Sequence, residues 1–278
     1  MKKNDFDRFI ELARDARETL DESIYPATFE ILCNLENSEI SDFSAYIASV
    51  NLTEADKPLP FTEKVKRLVS ELLEYEISTG NPDAMNDLGA LFYEGTRGFG
   101  QNFSDAVRYY EMAVKNGSRQ AQENLGYCYY YGRDIPVDYE KAFHCFALGA
   151  FDGHIISLYK IGDMYKNGYF VEKNEPESFR IYLHCLELMD EEKAPDTAGP
   201  LFLRLGDAFL YGIGTEIDAE NALSCYQRAE GYLYKMVKDG NVMYRKSLSK
   251  AIDGQTKARE ILENLIASGD SWQDMIQP

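Results

Sequence analysis

Basic residues are scarce in this 278-residue chain. Its 29 Lys and Arg stand against 47 Asp and Glu, which gives a formal net charge of −18. Binding to a nucleic-acid backbone needs clustered Lys and Arg, and so does attraction to an anionic membrane surface. The charge balance therefore predicts neither kind of partner. Because 45% of the residues are hydrophobic and 13% aromatic, the chain can still bury a core and is not a disordered acidic tail.

Long apolar segments are also missing. The most apolar region, Phe143–Tyr159, is interrupted by Asp152, whereas a membrane-spanning helix needs about 20 predominantly apolar residues. The N-terminal segment Met1–Leu20 mixes acidic and basic side chains and has no apolar core of the signal-peptide type. We therefore expect neither a membrane span nor an export signal.

Cysteine and histidine are few, and their spacing suits neither a disulfide framework nor a metal site. Two of the three histidines, His144 and His184, directly precede a cysteine, and adjacent helical residues point about 100° apart, a poor geometry for sharing one ion. Nucleotide-binding loops and nucleophile elbows are absent from the sequence. The sequence predicts no cofactor, no metal and reduced, mostly buried thiols in a cytoplasmic protein. The five cysteines form an odd set without Cys-x-x-Cys spacing: Cys33, Cys128, Cys145, Cys185 and Cys225.

Four segments share one glycine pattern. In each, an internal glycine is followed six residues later by a second: Gly89 and Gly95, Gly126 and Gly132, Gly162 and Gly168, Gly206 and Gly212. Hydrophobic residues one before and three after the first glycine fall on one helical face. A glycine inside a helix costs about 1 kcal/mol relative to alanine, so four at one position indicate close backbone approach of a neighbouring helix. The second glycine is expected to end the helix as a left-handed C-cap.

A second helix is predicted after each of these glycines. An Asn or Asp at a fixed position is expected to cap its N-terminus: Asn102, Asp138, Asn174 and Asp218. The helix then carries a small, aromatic, small pattern at 4 + 3 spacing, as in Ala106, Tyr110 and Ala113 or Ala222, Tyr226 and Ala229. The sequence thus predicts an all-α chain built from helix-turn-helix units of about 36 residues.

These landmarks, LGxxYxxG followed by DxxxAxxxYxxA, resemble the Sel-one-like repeat (SLR) family, which is related to the tetratricopeptide repeats. The resemblance covers residues 80–230. It implies a right-handed α/α solenoid whose first helices line a concave surface used for protein binding. Three features depart from the pattern: Ile161 replaces leucine, Ser178 replaces alanine, and the last spacing is 44 residues rather than 36.

The predicted organisation has degenerate capping helices at both ends, as expected where one face of a solenoid meets water. It comprises an N-terminal helical cap and loop (1–60), the solenoid (61–230), a degenerate C-terminal repeat (232–268) and a tail (269–278). The four clear repeats are 84–117, 121–153, 157–190 and 201–231. The inserted stretch Met189–Pro200 is interpreted as a solvated loop rather than a docking site. The tail holds the only tryptophan, Trp272, either as a cap or as a mobile peptide.

By the same resemblance, three positions of each first helix face inward: three before, one after and four after the first glycine. They give the candidate partner-binding residues Asn86, Tyr93, Glu123, Tyr127, Tyr130, Tyr159, Asp163, Lys166, Leu203 and Asp207, with Ala90 and Leu210 at the two remaining positions. Tyrosine mixed with acidic residues suits protein recognition. The alternative is that these tyrosines only fill grooves between successive helices.

The leading functional hypothesis is a noncatalytic scaffold or adaptor that binds a peptide or domain of another protein. Its acidic lining favours a partner with Lys or Arg, and we expect a monomer or a weak homo-oligomer. One alternative is a hydrolase with paired carboxylates such as Asp163 and Asp207, although repeats stacked about 10 Å apart are distant for a retaining pair. The other is a structural homo-oligomer.

Overall fold

The computed structural model describes residues 1–39, 49, 52, 62–191 and 194–268. Within them the chain is all-helical, and a 3-10 turn, Val242–Tyr244, precedes the last helix. The helices are α1 (Lys3–Arg17), α2 (Pro26–Glu36), α3 (Glu63–Ser78), α4 (Pro82–Glu94), α5 (Phe103–Lys115), α6 (Arg119–Tyr131), α7 (Tyr139–Phe151), α8 (Ile155–Asn167), α9 (Glu175–Leu188), α10 (Pro195–Tyr211), α11 (Ala219–Lys238) and α12 (Arg245–Ser268).

The chain forms two compact units, Met1–Cys145 and Phe146–Pro278, and their boundary lies inside α7. In unit 1, α4 packs against α5 and also contacts α6, the first helix of the next repeat. In unit 2, α8 packs against α9 and contacts α10 in the same way. Each unit therefore contains helical hairpins that pack in sequence order, as the helix-turn-helix prediction requires.

Both predicted caps are present in every clear repeat. The four first helices end at left-handed glycines with φ between 66° and 70°: Gly95, Gly132, Gly168 and Gly212. The caps Asn102, Asp138, Asn174 and Asp218 each accept a hydrogen bond of 2.9–3.1 Å from the backbone N–H three residues later. Each cap also donates its own N–H to a carbonyl of the first helix, on Phe92, Tyr129, Tyr165 and Phe209 respectively. These paired bonds fix the loop between the two helices of a repeat.

The internal glycines allow the second helix to place an aromatic ring against the first. A Cβ added to Gly89 would lie 2.7 Å from Cδ1 of Tyr110, and one added to Gly206 would lie 2.8 Å from Cδ1 of Tyr226. Both rings are buried. A neighbouring helix does come close at these glycines, but the nearest atoms belong to the tyrosine ring of the same repeat and not to a helix backbone, as the sequence had suggested.

The predicted N-terminal cap is described only in part. Helices α1 and α2 pack together, and α1 also packs against α3 through a core that includes Phe9, Leu32 and Leu72. Most of the loop predicted up to residue 60 lies outside the described residues.

The interpretation of Met189–Pro200 as a solvated loop is wrong for its second half. Pro195–Pro200 begins α10, and a Cβ on the buried Gly199 would lie 3.0 Å from Cγ of Leu233 on α11. Helices α10 and α11 have 17 and 20 residues, against 13 in both α4 and α5. The insertion thus lengthens one helical hairpin, because its small residues let α11 pack against it.

The predicted degenerate repeat at 232–268 consists of the end of α11, the 3-10 turn and the single helix α12. Gly254, on α12, lies directly against the ring of Tyr226. The tail with Trp272 lies outside the described residues. Among those described, no helix combines the length and hydropathy that crossing a membrane requires.

Candidate partner-binding site

In unit 2, most of the predicted inward-facing side chains are buried. Tyr159, Asp163, Leu203 and Asp207 are between 5% and 8% exposed, and only Lys166 is half-buried. These four side chains are therefore largely removed from solvent within unit 2. The assignment of these residues to partner binding remains a prediction, and their internal contacts account for their burial.

Asp163 lies at the centre of a buried ionic network. Arg204 donates two hydrogen bonds to its carboxylate, from Nε to Oδ1 and from Nη2 to Oδ2, each 2.7 Å long. The hydroxyl of Tyr182 donates a third, at 2.7 Å. Nζ of Lys160 lies 3.6 Å from Oδ2, and the Arg204 guanidinium carbon lies 4.2 Å from the ring centroid of Tyr159. This bidentate geometry joins the first helices of two successive repeats.

The charge state of Asp163 follows from these contacts. Burial disfavours its ionised form, but the positive charge and hydrogen bonds of Arg204 outweigh burial and hold the pKa of the carboxyl well below its usual range. A general acid of a glycosidase-type hydrolase needs a raised pKa. The geometry thus gives the hydrolase alternative no support at this residue.

Asp207 repeats the arrangement one repeat later. It accepts a 2.9 Å hydrogen bond from the hydroxyl of Tyr226 and pairs with Lys250 of α12. Sequence reasoning missed both basic partners, Arg204 and Lys250. In both repeats an Asp directly follows the internal glycine and a Tyr stands 19 residues later. This spacing could have indicated that the Asp is buried and hydrogen bonded to the Tyr.

In unit 1 the same positions differ in exposure. Asn86 and Glu123 are buried, and Asn86 accepts a 2.9 Å hydrogen bond from Nδ2 of Asn124. Tyr93, Tyr127 and Tyr130 are only half-buried. The open part of the predicted surface in this unit is therefore aromatic.

These three tyrosines belong to a larger array of rings, which we call the aromatic row. Its members are Tyr93, Phe103, Tyr127, Tyr130, Tyr131 and Tyr139, together with Arg133. Tyr93 meets Phe103 edge-on with centroids 5.3 Å apart, and Tyr130 meets Tyr139 in the same way at 5.8 Å. The repeat accounts for this duplication, because Phe103 and Tyr139 each directly follow an Asn or Asp helix cap.

Tyr131 is the most exposed ring of the row, at 47%. It stacks on Tyr127 at a centroid distance of 6.3 Å and meets Tyr130 edge-on at 4.9 Å. Together these side chains present a broad, largely aromatic surface at the end of α6. Sequence reasoning did not include Tyr131 among the site residues, because the position after Tyr130 was not one of the three assumed inward positions.

Arg133 joins the two repeats within the aromatic row. Its guanidinium carbon lies 4.8 Å from the centroid of Phe103 and 5.3 Å from that of Tyr131. Burial raises the pKa of Tyr93, and a hydrogen bond and the charge of Arg133 act in the opposite direction. The rings therefore already accommodate one cation on their faces.

Unit 2 lacks a comparable row at matching positions. Lys166 and Leu210 occupy the places of Tyr93 and Tyr130, and Glu175 and Ala219 occupy those of Phe103 and Tyr139. Among the matching ring positions of unit 2, only that of Tyr131 holds an aromatic residue, Tyr211. The aromatic row is therefore specific to the repeats of unit 1, not a general consequence of the repeat fold.

Metal ligation and thiol chemistry find little support in the part of the chain that the structure describes. It contains no group of three or more His, Cys, Asp or Glu residues placed to hold a metal ion. Burial raises the pKa of the Cys128 and Cys185 thiols to about 12, and that of Cys145 and Cys225 to about 11. Such thiols are poor nucleophiles, because the thiolate is the reactive form.

Comparison with known proteins supports the repeat assignment directly. Residues 82–118, 119–154, 155–183 and 203–230 match the Sel1 repeat. The chain is a Sel1-repeat protein. The resemblance drawn from the glycine pattern is therefore confirmed.

Curated relatives of this Sel1-repeat protein are much longer. It is 32% identical over 113 residues to protein sel-1 homolog 2 of Mus musculus, a region covering 41% of this chain and 16% of that protein. It is 30% identical over 105 residues to the ERAD-associated E3 ubiquitin-protein ligase component HRD3B of Arabidopsis thaliana, covering 37% of this chain and 16% of that protein.

Two solved structures share the fold. A Sel1 repeat protein from Oxalobacter formigenes matches with a TM-score of 0.55 and 21% identity, over 81% of this chain and 84% of that one. The protective antigen c5321 of uropathogenic Escherichia coli, which displays an SLR fold, matches with a TM-score of 0.52 and 18% identity, over 92% of this chain and 53% of that one. At these identities the matches establish the fold alone, and they confirm the predicted all-α solenoid class.

Proposed function

We propose that this Sel1-repeat protein is a noncatalytic protein-interaction scaffold and that the aromatic row of unit 1 is its partner-binding surface. The observation that carries the proposal is the set of partly exposed rings from Tyr93 to Tyr139, of which unit 2 repeats a single ring, Tyr211, at the position that matches Tyr131. Tyrosine provides contact area and a hydroxyl with few rotatable bonds, and it is enriched at the centres of protein interfaces.

The chemistry of the row favours a basic partner segment. A Lys or Arg side chain of a partner can lie over a partly exposed ring of the row, as the guanidinium of Arg133 lies over that of Tyr131. The net charge of −18 adds a long-range attraction that speeds encounter with a basic protein at low salt. We therefore propose a peptide or domain of another protein that presents Lys or Arg to the rings.

One relative gives this proposal general support. HRD3B is named as a component of an E3 ubiquitin-protein ligase, so it works as part of a protein assembly. That relative matches over 37% of the present chain. Because the match covers only part of either protein, the partners of HRD3B are not assigned to this chain. The partner proposed above rests instead on the chemistry of the aromatic row.

The proposal can be tested by quantitative affinity capture from the native source. Tyr127→Ser combined with Tyr131→Ser should reduce partner recovery about tenfold or more, because interface aromatics contribute at least 2 kcal/mol at binding hot spots. Tyr234→Ser, at a 61% exposed tyrosine of unit 2, is the matched control and should leave recovery unchanged.

The melting temperature of each variant separates binding from folding. If the double variant captures the same proteins in the same amounts, the row is not the binding surface. If it instead unfolds, the rings serve packing, as the alternative interpretation of the sequence holds. Light scattering of the wild-type protein tests the homo-oligomer, which predicts a mass above that of one chain.

A further inference from the structure

Arg133, within the aromatic row, has no carboxylate partner among the residues that the structure describes. Its guanidinium carbon lies 4.8 Å from the ring centroid of Phe103 and 5.3 Å from that of Tyr131. A hydrogen bond links its side chain to Tyr93, and its buried Nε has no hydrogen-bond partner. The chain has 47 acidic residues against 29 basic ones, so a shortage of carboxylates does not explain this unpaired, half-buried arginine.

Other arginines of the chain lie over a ring and also hold a carboxylate. A planar guanidinium can do both, because the ring contacts its face while the carboxylate accepts hydrogen bonds at its edge. Four arginines show this combination: Arg17 with Phe29 and Glu36, Arg108 with Tyr109 and Asp105, Arg204 with Tyr159 and Asp163, and Arg228 with Phe202 and Glu191. Arg133 has the rings but, among the described residues, not the carboxylate.

The repeat fold does not require an arginine at position 133. This residue follows the C-cap glycine of α6, and its backbone N–H donates a 3.0 Å hydrogen bond to the carbonyl of Cys128. Tyr169 and Ile213 make the same kind of backbone bond at the equivalent positions of the next two repeats. The first clear repeat has Thr96 there. The turn therefore depends on the backbone, and the guanidinium is available for another role.

We propose that Arg133 is an anion subsite at the centre of the aromatic row and that it receives the carboxylate of an Asp or Glu side chain from the bound partner. Burial strengthens the attraction, because less water competes for the guanidinium. This inference rests on the proposed function and names one more group of the partner. Because the net charge of −18 repels a wholly acidic segment, the carboxylate would be flanked by the Lys or Arg residues that lie over the rings.

The test uses the full chain and two peptides, Lys-Leu-Asp-Leu-Lys and Lys-Leu-Asn-Leu-Lys, acetylated and amidated so that the Asp side chain is the single carboxylate. Isothermal titration calorimetry gives the affinity for each. Wild-type protein should bind the Asp peptide about tenfold more tightly than the Asn peptide, since a hydrogen bond between charged groups is stronger than one to a neutral amide. Added salt should reduce this preference.

The preference for Asp separates an anion subsite from a structural role, because it compares two peptides on one protein. Arg133→Gln should bind both peptides equally, and Arg133→Lys, which keeps the charge without the planar fork, should keep only part of the preference. Arg108→Gln is the matched control. It changes an arginine of unit 1 that also lies over a ring and already pairs with Asp105, so the tenfold preference should remain.

Failure of this inference can be distinguished from failure of the proposed function. Tyr127→Ser combined with Tyr131→Ser should weaken the binding of both peptides. Wild-type protein that binds the two peptides equally, or does not bind the Asp peptide, would overturn the anion subsite, as would a preference that survives in Arg133→Gln. Affinity capture with the double tyrosine variant tests the aromatic row independently of these results.

Discussion

The ring of Tyr182 covers the α carbon of Gly162, so that a Cβ built on the glycine would lie 2.7 Å from Cε1 of the ring. The ring cannot move aside easily, because its hydroxyl donates a 2.7 Å hydrogen bond to the buried Asp163. We predict that Gly162→Ala lowers the free energy of unfolding by about 1–3 kcal/mol, as overpacked core substitutions do. Urea denaturation followed by circular dichroism measures the change.

Gly231→Ala is the control for this prediction. Gly231 lies inside α11 with no atom within 4 Å of an added Cβ. Alanine there should stabilise the protein by about 0.5–1 kcal/mol, through helix propensity alone. Equal effects of the two substitutions would show that the ring contact at Gly162 is unimportant.

The bidentate pair of Arg204 with Asp163 should make unit 2 sensitive to acid. The pKa of Asp163 is lower in the folded state than in the unfolded state. The stability that the ionised carboxylate contributes is therefore fully present above the unfolded pKa of about 3.9, and it is lost as the pH falls towards the folded pKa. Asp163→Asn should cost roughly 3 kcal/mol at neutral pH, because Arg204 keeps a buried, uncompensated charge.

The pH profile distinguishes this mechanism from a simple packing defect. The stability difference between wild type and Asp163→Asn should be constant near neutrality and should shrink below about pH 4. Glu187→Gln, at an exposed pair with His184, should change stability by less than about 1 kcal/mol. A difference that is unchanged down to strongly acidic pH would contradict the role given to the ionised carboxylate.

Ser157 offers a stabilising substitution. Its side chain is fully buried in α8, and its hydroxyl has no hydrogen-bond partner among the described residues. The corresponding position is Ala84 in one repeat and Ala121 in the next. We predict that Ser157→Ala raises the free energy of unfolding by about 1 kcal/mol, since it removes a buried unsatisfied hydroxyl and improves helix propensity.

The exposed Ser224 of α11 is the matched comparison. Ser224→Ala should gain only a few tenths of a kcal/mol, from propensity. A loss of stability in Ser157→Ala would show that its hydroxyl has a partner.

The cysteines should differ in their reaction with iodoacetamide. Cys33 is half-buried on α2, whereas burial raises the pKa of Cys128 and Cys185 to about 12. We therefore expect mass spectrometry to find Cys33 modified first in the folded protein, and all five cysteines modified in urea. Modification of Cys128 at the rate of Cys33 would contradict the assigned burial.

The repeat architecture was readily predicted from sequence, because its signals are local. A glycine at a C-cap and an Asn or Asp at an N-cap act through backbone conformation and hydrogen bonds within a few residues. Gly95 and Asn102 could therefore be assigned without knowledge of the neighbouring repeats. The contact between glycine and tyrosine could also have been predicted, because the two residues keep a nearly constant separation along the chain.

The candidate site was harder to predict, because its residues come together through packing between repeats. Tyr93, Tyr127 and Tyr130 were predicted from their positions on the first helices. Phe103 and Arg133 were missed, since nothing local shows that a guanidinium from one repeat will lie on a ring of another. Asp163 was predicted to face a partner, but its side chain is buried against Arg204 and Tyr182, which are distant in sequence.

Photocrosslinking at the most exposed ring of the aromatic row can show whether partners bind there. Benzoylphenylalanine would be introduced at Tyr131 and, in a separate variant, at the matching position Asn167 of unit 2. Irradiation in an extract of the native source should give a discrete adduct from position 131 that is lost when Tyr127 is changed to Ser, and none of the same mass from position 167. The same adducts from both positions, or none from position 131, would show that partners do not bind at the aromatic row.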